Sequence, residues 1–347
     1  MNNPAEFEFA CPICQARLDP ISPNEFHCAV DGTAFLRIDG IWRMMCPERS
    51  AHYDRFVKEY EAVRQAEGRG SDDSAYYRAL PFADLTGRMT ADWRIRTASF
   101  RALIDHVIAP LEGASAIAND SRSVISSKRS DREISSSSNE ISRFAKNDRP
   151  ALKILDLGAG NGWLSYQLAK RGHAVGAVDL LTNNRDGLGA HIHYDLSFTP
   201  IQAELDHLPL AGNQIDIVIF NSSLHYSVNY ETTLCEAWRV IKANGRVVIL
   251  DSPVYSDAES GKEMVHERQE QFLRAYGFPS NSIASENFLT HKRLHALATS
   301  TSTEWRFVKP TYGWRWAIRP WIARVRGRRE PAQFMLIVGT RIAEKPI

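Results

Sequence analysis

The second half of the chain alternates between short apolar runs and amphipathic segments. Short continuous apolar runs are typical of strands buried on both faces, and a helical period of apolar positions is typical of helices packed on a sheet. In chain order these segments are KILDLG, WLSYQLAKRG, AVGAVDL, DIVIFN, ETTLCEAWRVIKANG and RVVILDSP. The alternation predicts βαβ units and a parallel sheet in a domain over residues 151–347, with EWRFVKP and PAQFMLIVGTRI as two late strands.

Residues 49–112 have a helical pattern instead. Ser50 is a candidate N-cap for a helix through SAHYDRFVKEYEAVRQ, and a second helix is predicted through WRIRTASFRALIDHVIAPL. Residues 113–150 contain 11 serines and few large apolar side chains, so they bury too little surface to offset their ordering entropy. We expect a flexible linker or insertion there, with a phosphorylation-controlled segment as the alternative.

Composition and charge exclude few functions. The chain is 44% hydrophobic and 24% charged, with a formal net charge of +1, which disfavours nucleic-acid binding through the overall field but leaves a local patch open. The N-terminus has no secretory pattern, and no apolar run is long enough for a membrane span. Five cysteines do not form a disulfide pattern, and a cytoplasmic location is expected.

A glycine-rich turn carries the strongest chemical signal. In Leu155-Asp156-Leu157-Gly158-Ala159-Gly160-Asn161-Gly162-Trp163, the glycines lie where a strand gives way to a helix, so the backbone can approach a ligand closely. A dinucleotide-binding domain uses a related turn. Asp179 ends the next strand, where its carboxylate is placed to take two ribose hydroxyls, and the segment AELDHLPL precedes the fourth strand.

The ordered motifs LDLGAGNG, AVDL, AELDHLPL, IDIVIFNSSLHY and EAWRVIKANGRVVILDSP resemble those of class I S-adenosylmethionine-dependent methyltransferases, in particular the type 11, UbiE-like group, over about residues 150–342. The resemblance implies an α/β fold with a doubly wound, mostly parallel seven-stranded sheet and a final antiparallel strand. It also implies S-adenosylmethionine as the cofactor.

The same resemblance implies a set of cofactor-binding residues. Asp156 and the loop Gly158, Ala159, Gly160, Asn161 and Gly162 would surround the methionine and ribose moieties, and Asp179, followed by Leu180, would bind the ribose. Glu204 matches the acid that meets the adenine amino group, with Leu205 beside it, and Asn221 faces the methionine end. For Asn221, simple packing of the βα turn is an equal alternative.

Acceptor chemistry is less constrained. Asn221-Ser222-Ser223-Leu224-His225-Tyr226 stands where enzymes that methylate nucleobase amino groups carry an NPPY-type motif, so that reaction is disfavoured. His225 follows the fourth strand at the ligand-binding edge, and an ordinary pKa near 6.5 suits a general base. A histidine that closes the cofactor pocket is the equal alternative.

Residues 1–48 are predicted to form a zinc-ribbon-like module. Cys11-Pro-Ile-Cys14 is followed after a short hairpin by Cys28 and Asp31, and this spacing is similar to the N-terminal zinc ribbon of some methyltransferases, including certain ribosomal-RNA guanine methyltransferases. Asp31 stands where a fourth cysteine is expected, and His27 is an alternative ligand. The sequence allows two interpretations: the module binds a structural zinc ion, or it is a ribbon that has lost its metal.

The segment Gly313–Pro331 combines six arginines with three tryptophans. It could hold an anionic substrate or dock on RNA, but the favoured interpretation is an amphipathic helix whose tryptophans face the core. Three functions follow: a methyltransferase for a small or lipid-like acceptor, which is preferred; a ribosomal-RNA methyltransferase that docks through the ribbon and the arginines; and a non-catalytic scaffold. The oligomeric state is not constrained.

Overall fold

The computed structural model describes residues 7–113 and 151–342. The serine-rich segment therefore lies outside the described residues, apart from its first residue. The helices are α1 (Pro47–Ala66), α2 (Ser74–Ala79), α3 (Thr90–Leu103), α4 (Trp163–Ala169), α5 (Tyr230–Val240), α6 (Ala258–Tyr276), α7 (His291–Ser300), α8 (Trp314–Ala317) and α9 (Arg319–Val325). A π-helical segment, Ile104–Ile108, continues α3, and 3₁₀ turns cover Leu188–His193 and Leu224–Tyr226.

Within the described residues, eleven strands form one mixed sheet and two short strands form a separate parallel pair. The strands are β1 (Asp19–Ser22), β2 (Glu25–His27), β3 (Ala34–Ile38), β4 (Ile41–Arg43), β5 (Lys153–Leu157), β6 (Ala174–Asp179), β7 (Thr199–Gln202), β8 (Ile215–Asn221), β9 (Ile241–Leu250), β10 (Val254–Tyr255), β11 (Leu289–Thr290), β12 (Thr303–Val308) and β13 (Leu336–Arg341). The order in the large sheet is β1-β2-β3-β4-β7-β6-β5-β8-β9-β13-β12, with β10 and β11 forming the pair.

The central strands β7, β6, β5, β8 and β9 run parallel, and β13 is antiparallel to both β9 and β12. The α/β fold and the mixed sheet agree with the expectation, drawn from the family resemblance, of a mostly parallel sheet with a final antiparallel strand. The strand order reverses between β5 and β8, so the loops that follow these strands diverge and leave a crevice at their carboxyl ends.

Alternate side chains of the central strands enter two cores, one on each face of the sheet. Leu155 and Val218 belong to one core, which α5 and α7 cover, whereas Ile154 and Ile217 belong to the other, under α3 and α4. Because both faces are buried, the strands read as continuous apolar runs in the sequence.

The N-terminal strands extend the same sheet. Strand β4 pairs in parallel with β7, and Phe9 forms an isolated bridge with Leu210. Phe9, Phe26 and Trp42 pack against one another on the first core, with tilted rings whose centroids lie 4.5–5.6 Å apart. The module is therefore continuous with the main sheet through hydrogen bonds and packing.

Several local expectations need correction. Helix α1 begins at Pro47, with Cys46 at the N-cap, so Ser50 lies inside the first turns and not at the cap. Proline is well tolerated at the first helical position, where its missing N–H has no helical acceptor in any case. Helix α5 ends at Val240, five residues earlier than the expected segment, because Ile241 already pairs with Ile215 in the sheet.

The arginine- and tryptophan-rich segment also differs from the favoured interpretation. Trp314 and Trp321 are exposed, and Trp316 alone of the three packs inward, against Tyr312 and Phe334. The prediction that these tryptophans face the core is wrong for Trp314 and Trp321, because a periodic apolar pattern does not reveal whether anything covers its face.

Candidate functional site

The glycine-rich turn between β5 and α4 has a backbone that only glycine adopts readily. Gly158, Gly160 and Gly162 all have φ between +55° and +78°. A Cβ on Gly158 would lie 2.3 Å from Cβ of Ser223, and one on Gly162 would lie 2.5 Å from Cζ of Phe198. The loop therefore requires glycine at Gly158 and Gly162 for space as well as for backbone conformation.

Asp179 holds this turn in place. Its Oδ2 accepts the N–H of Gly160 at 2.8 Å, and its Oδ1 accepts the N–H of Leu181 at 2.9 Å. Burial raises the pKa of the Asp179 carboxyl, and the two backbone donors oppose that rise. A carboxylate at the end of β6 is thus fixed beside the glycine turn.

These elements border a cavity of about 300 Å³ at the carboxyl ends of β5, β6 and β8. Its wall includes eight of the eleven residues that the sequence singled out as cofactor-binding, one of which is Leu205. The other seven are Gly158, Ala159, Gly160, Asn161, Asp179, Leu180 and Asn221. Asn221 is 7% exposed, and its Oδ1 has no hydrogen-bond partner among the described residues. A buried amide oxygen without a partner on a cavity wall is suited to a ligand donor.

Three predicted residues, Asp156, Gly162 and Glu204, do not border this cavity. Asp156 is fully buried and accepts the hydroxyl of Ser165 at 2.8 Å, and burial raises its pKa to about 7. Glu204 is buried and forms an ion pair with Arg49 of α1. Asp156 thus joins β5 to α4, and Glu204 joins the loop after β7 to α1.

His225 also lies behind the wall, whereas the neighbouring Tyr226 lines it. The ring of His225 is buried, and its Nδ1 lies 3.3 Å from Oγ of Ser252. Burial, assisted by the charges of Arg268 and Arg96, lowers the pKa of His225 to about 3. The ring is shielded from the cavity, and its lowered pKa makes it a weak proton acceptor, which is consistent with the pocket-closing alternative.

Side chains from the helices before residue 113 complete the wall of the cavity. None of them was predicted from the sequence as a site residue. The side chains that α1, α2, α3 and the adjoining loops contribute are Phe56, Tyr60, Arg64, Arg69, Tyr76, Met89, Trp93 and Arg96. Arg64 pairs with Asp186, which anchors α1 over the glycine turn. The apolar spacing of these helices was visible in the sequence, but the face that meets a ligand depends on contacts distant in sequence.

A second cavity, of about 160 Å³, adjoins the first. The two share five wall residues, namely Phe56, Tyr60, Arg64, Arg69 and Tyr226. The second cavity is also bordered by Arg268 and Phe272 of α6. Nη2 of Arg268 donates to Oδ1 of Asn287 at 2.7 Å, while its buried Nε has no partner among the described residues.

The cysteine cluster is separate from these cavities. One ligand atom from each of Cys11, Cys14, Cys28 and Asp31 lies within 4.8 Å of the others, and His27 is not part of the group. Sγ of Cys11 lies 3.0 Å from Oδ2 of Asp31, and Sγ of Cys14 lies 3.4 Å from Sγ of Cys28. Tetrahedral zinc with bonds of about 2.3 Å to sulfur separates its sulfur ligands by roughly 3.8 Å, so small shifts would accommodate the ion.

The chain is similar in sequence to known methyltransferases. Residues 155–249 match the family described as "Methyltransferase domain". The chain is 28% identical over 121 residues to the ubiquinone/menaquinone biosynthesis C-methyltransferase UbiE of Vibrio vulnificus, covering 31% of this chain and 44% of that protein. It is 26% identical over 145 residues to the malonyl-[acyl-carrier protein] O-methyltransferase of Buchnera aphidicola, covering 40% of this chain and 50% of that protein.

The chain thus spans about half the length of the curated relatives it matches. Among solved structures, the phosphoethanolamine N-methyltransferase 2 of Haemonchus contortus, in complex with S-adenosyl-L-methionine, aligns with a TM-score of 0.41 at 16% identity. That alignment covers 59% of this chain and 52% of the other.

Proposed function

We propose that the chain is a class I S-adenosylmethionine-dependent methyltransferase that acts on a small or lipid-like acceptor, on the premise that residues 155–249 match the methyltransferase-domain family. When bound, S-adenosylmethionine supplies a methyl group on a sulfonium leaving group, which an acceptor displaces in line. The protein's main contribution is then to position the two reactants.

The observation that carries this proposal is the first cavity at the carboxyl ends of β5, β6 and β8. It combines a turn that excludes side chains, an oriented carboxylate on Asp179 and an unpartnered amide oxygen on Asn221. Asp179 is suited to ribose hydroxyls, and the Asn221 oxygen is suited to an ammonium donor such as that of a methionine moiety. The residues present therefore fit the cofactor.

We assign the cofactor's wall to Gly158, Ala159, Gly160, Asn161, Asp179, Leu180, Leu205 and Asn221. Asp156, Gly162 and Glu204 act indirectly, because they fix the turn, the start of α4 and the position of α1. Arg96 borders the cavity and forms no ion pair within the described residues, so it is suited to the cofactor's carboxylate.

The second cavity is assigned to the acceptor, because it opens beside the first across shared aromatic residues. Phe56, Tyr60, Tyr226 and Phe272 suit an apolar or aromatic body. The Nε of Arg268 suits an anionic group on it, since a buried guanidinium N–H without an acceptor is costly. No proton transfer is assigned to His225, whose ring packs 4.3 Å from that of Tyr226.

The cysteine cluster is assigned to a structural zinc ion bound by Cys11, Cys14, Cys28 and Asp31. Four protein ligands leave no open coordination position, so the ion would stabilise the module and take no part in methyl transfer.

Calorimetric titration with S-adenosylmethionine and S-adenosylhomocysteine tests the cofactor assignment. We expect micromolar binding, on the order of −8 kcal/mol, that Asp179→Ala abolishes. Asp105→Ala, which removes an exposed carboxylate on another element, is the matched control and should bind normally. Absence of binding by the intact protein would reject the enzyme and favour the scaffold.

A substitution of Arg268 tests the assignment of the second cavity to the acceptor. Arg268→Gln should bind S-adenosylhomocysteine as the unaltered chain does and lose turnover of anionic acceptors. Equal loss for neutral and anionic acceptors would contradict a charge-recognition role.

A further inference from the structure

Helices α8 and α9 form one nearly continuous helical segment after Gly313. The N–H of Ile318 donates to O of Trp314 at 3.2 Å, and the N–H of Ile322 donates to O of Ile318 at 3.0 Å. The turn continues with the N–H of Arg326, which donates to O of Ile322 at 3.1 Å. Side chains three and four residues apart therefore share a face across the junction of α8 and α9.

Four apolar side chains with that spacing face solvent. Trp314, Ile318, Trp321 and Val325 are 69%, 38%, 68% and 67% exposed. Trp316 packs inward, with its ring 5.1 Å from Tyr312 and 5.4 Å from Phe334. Trp316 thus holds the segment on the protein. The apolar stripe faces outward instead, and packing within the described residues does not account for it.

The flanks of this stripe are strongly basic. Five arginines lie between Trp314 and Arg328, and the sequence has no acidic residue between Gly313 and Arg329; these arginines are Arg315, Arg319, Arg324, Arg326 and Arg328. None of the five forms an ion pair with the described residues. Because the chain as a whole carries a net charge of only +1, this is a local concentration of positive charge.

We propose that this surface, here called the Trp–Arg face, docks the protein on an anionic lipid bilayer. Tryptophan is favoured at the level of lipid headgroups, and flanking arginines attract anionic phosphates, so a helix with both lies in the plane of the interface. The aliphatic side chains of Ile318 and Val325 complete an apolar stripe suited to acyl chains. Trp314 and Trp321 alone could stack on bases, but the aliphatic part of the stripe has no such use, which makes RNA the weaker partner.

The Trp–Arg face is linked to the helix that borders the second cavity. Nε of Arg329, at the end of the face, lies 2.7 Å from Oε2 of Glu267 on α6. Arg268, which follows Glu267 in the sequence, borders the second cavity. Docking would therefore hold α6 close to the bilayer. No helix of the described residues is long and apolar enough to cross a membrane.

Vesicle co-sedimentation tests the proposal without requiring methyl transfer. Full-length protein is mixed with phosphatidylcholine vesicles, alone or with about one third phosphatidylglycerol. We expect binding to the anionic vesicles that weakens with salt and is much lower on phosphatidylcholine alone. Bilayers carrying bromine on the acyl chains should quench part of the tryptophan fluorescence.

Two variants separate the apolar and charged contributions. Trp314→Ala/Trp321→Ala should lower the partition coefficient by at least about tenfold and remove the quenching. Arg324→Gln/Arg326→Gln should lower it about 25-fold, from about fivefold for each arginine. The matched controls, Leu85→Ala/Ile192→Ala and Arg94→Gln/Arg101→Gln, change exposed side chains elsewhere and should bind normally.

Several outcomes would overturn the proposal. These are no sedimentation with anionic vesicles, equal binding to both kinds of vesicle, or equal loss of binding in the controls. Salt-sensitive binding of a single-stranded RNA oligonucleotide without vesicle binding would assign the face to nucleic acid instead.

Discussion

Nε of Arg49, in the first turn of α1, lies 2.9 Å from Oε1 of Glu204 in the loop after β7. This ion pair connects the helical cap to the sheet beside the first cavity. Glu204 is also the acid that the family resemblance assigns to the adenine amino group. Glu204 is 5% exposed, so an unpaired charge there would be poorly solvated.

Arg49→Gln should therefore destabilise the protein by about 1–2 kcal/mol, less than for a fully buried pair because the Arg49 side chain is 39% exposed. Lys58→Gln, which breaks the exposed pair with Asp54 on the same helix, should change the free energy of unfolding by about 0.5 kcal/mol or less. Urea unfolding measures both. An equal loss of unfolding free energy in both variants would show that the charge of Glu204 does not need Arg49 for its stabilisation.

The glycine turn permits a sharper comparison. Gly158→Ala places a Cβ 2.3 Å from Ser223, whereas Gly172→Ala meets no atom of residues 7–113 or 151–342 within 4 Å, and both glycines have positive φ. The Gly172 variant should lose about 1–2 kcal/mol from backbone strain alone and retain binding of S-adenosylhomocysteine. The Gly158 variant should lose about 3 kcal/mol or more and lose binding. Normal binding by Gly158→Ala would contradict the assigned cavity wall.

Stability should depend on pH through His225. Its pKa is lowered to about 3 in the folded state, against about 6.5 in the unfolded chain, so the unfolded state binds more protons between these values. Stability is then fully present above about pH 6.5 and falls with decreasing pH, by at most about 1.4 kcal/mol per pH unit from this residue. In His225→Gln the free energy of unfolding should depend less on pH. Urea unfolding between the two pKa values of His225 measures this dependence.

The same variant distinguishes the two roles of His225. If the ring closes the pocket, His225→Gln should keep kcat within a few-fold, because glutamine can still pair with Ser252. A general base would cost about a hundredfold or more in kcat. Such a loss in a normally folded variant would restore the catalytic role.

Metal removal tests the cysteine cluster. Protein prepared with zinc should contain one ion per chain, and Cys14→Ser should reduce both zinc content and Tm. The loss should be well below the roughly 10 kcal/mol seen for isolated zinc-finger peptides, because Phe9 and Trp42 also anchor the module in the core. Cys235→Ser, an exposed cysteine outside the cluster, is the control. Unchanged stability after chelation would indicate a metal-free ribbon.

Local sequence was sufficient for features that depend on neighbouring residues. The turn from Gly158 to Gly162 and the carboxylate of Asp179 follow from motif spacing, because a tight βα turn leaves little conformational freedom. Partners distant in sequence were not predictable. Nothing near Glu204 in the sequence indicates Arg49, which lies 155 positions away. The orientation of Trp314 and Trp321 was likewise undetermined, because helical periodicity defines a face without showing what covers it.

The pairing of β4 with β7 has a practical consequence for anyone who wishes to shorten this protein. Trimming the chain to begin at residue 47 would leave Thr199–Gln202 as a bare strand edge and remove the aromatic rings that cover Ile201. Unprotected edges recruit strands from other molecules, so the shortened protein should self-associate even if its cofactor cavity folds. The ribbon-like module thus serves the sheet as a covering edge, whatever else it binds.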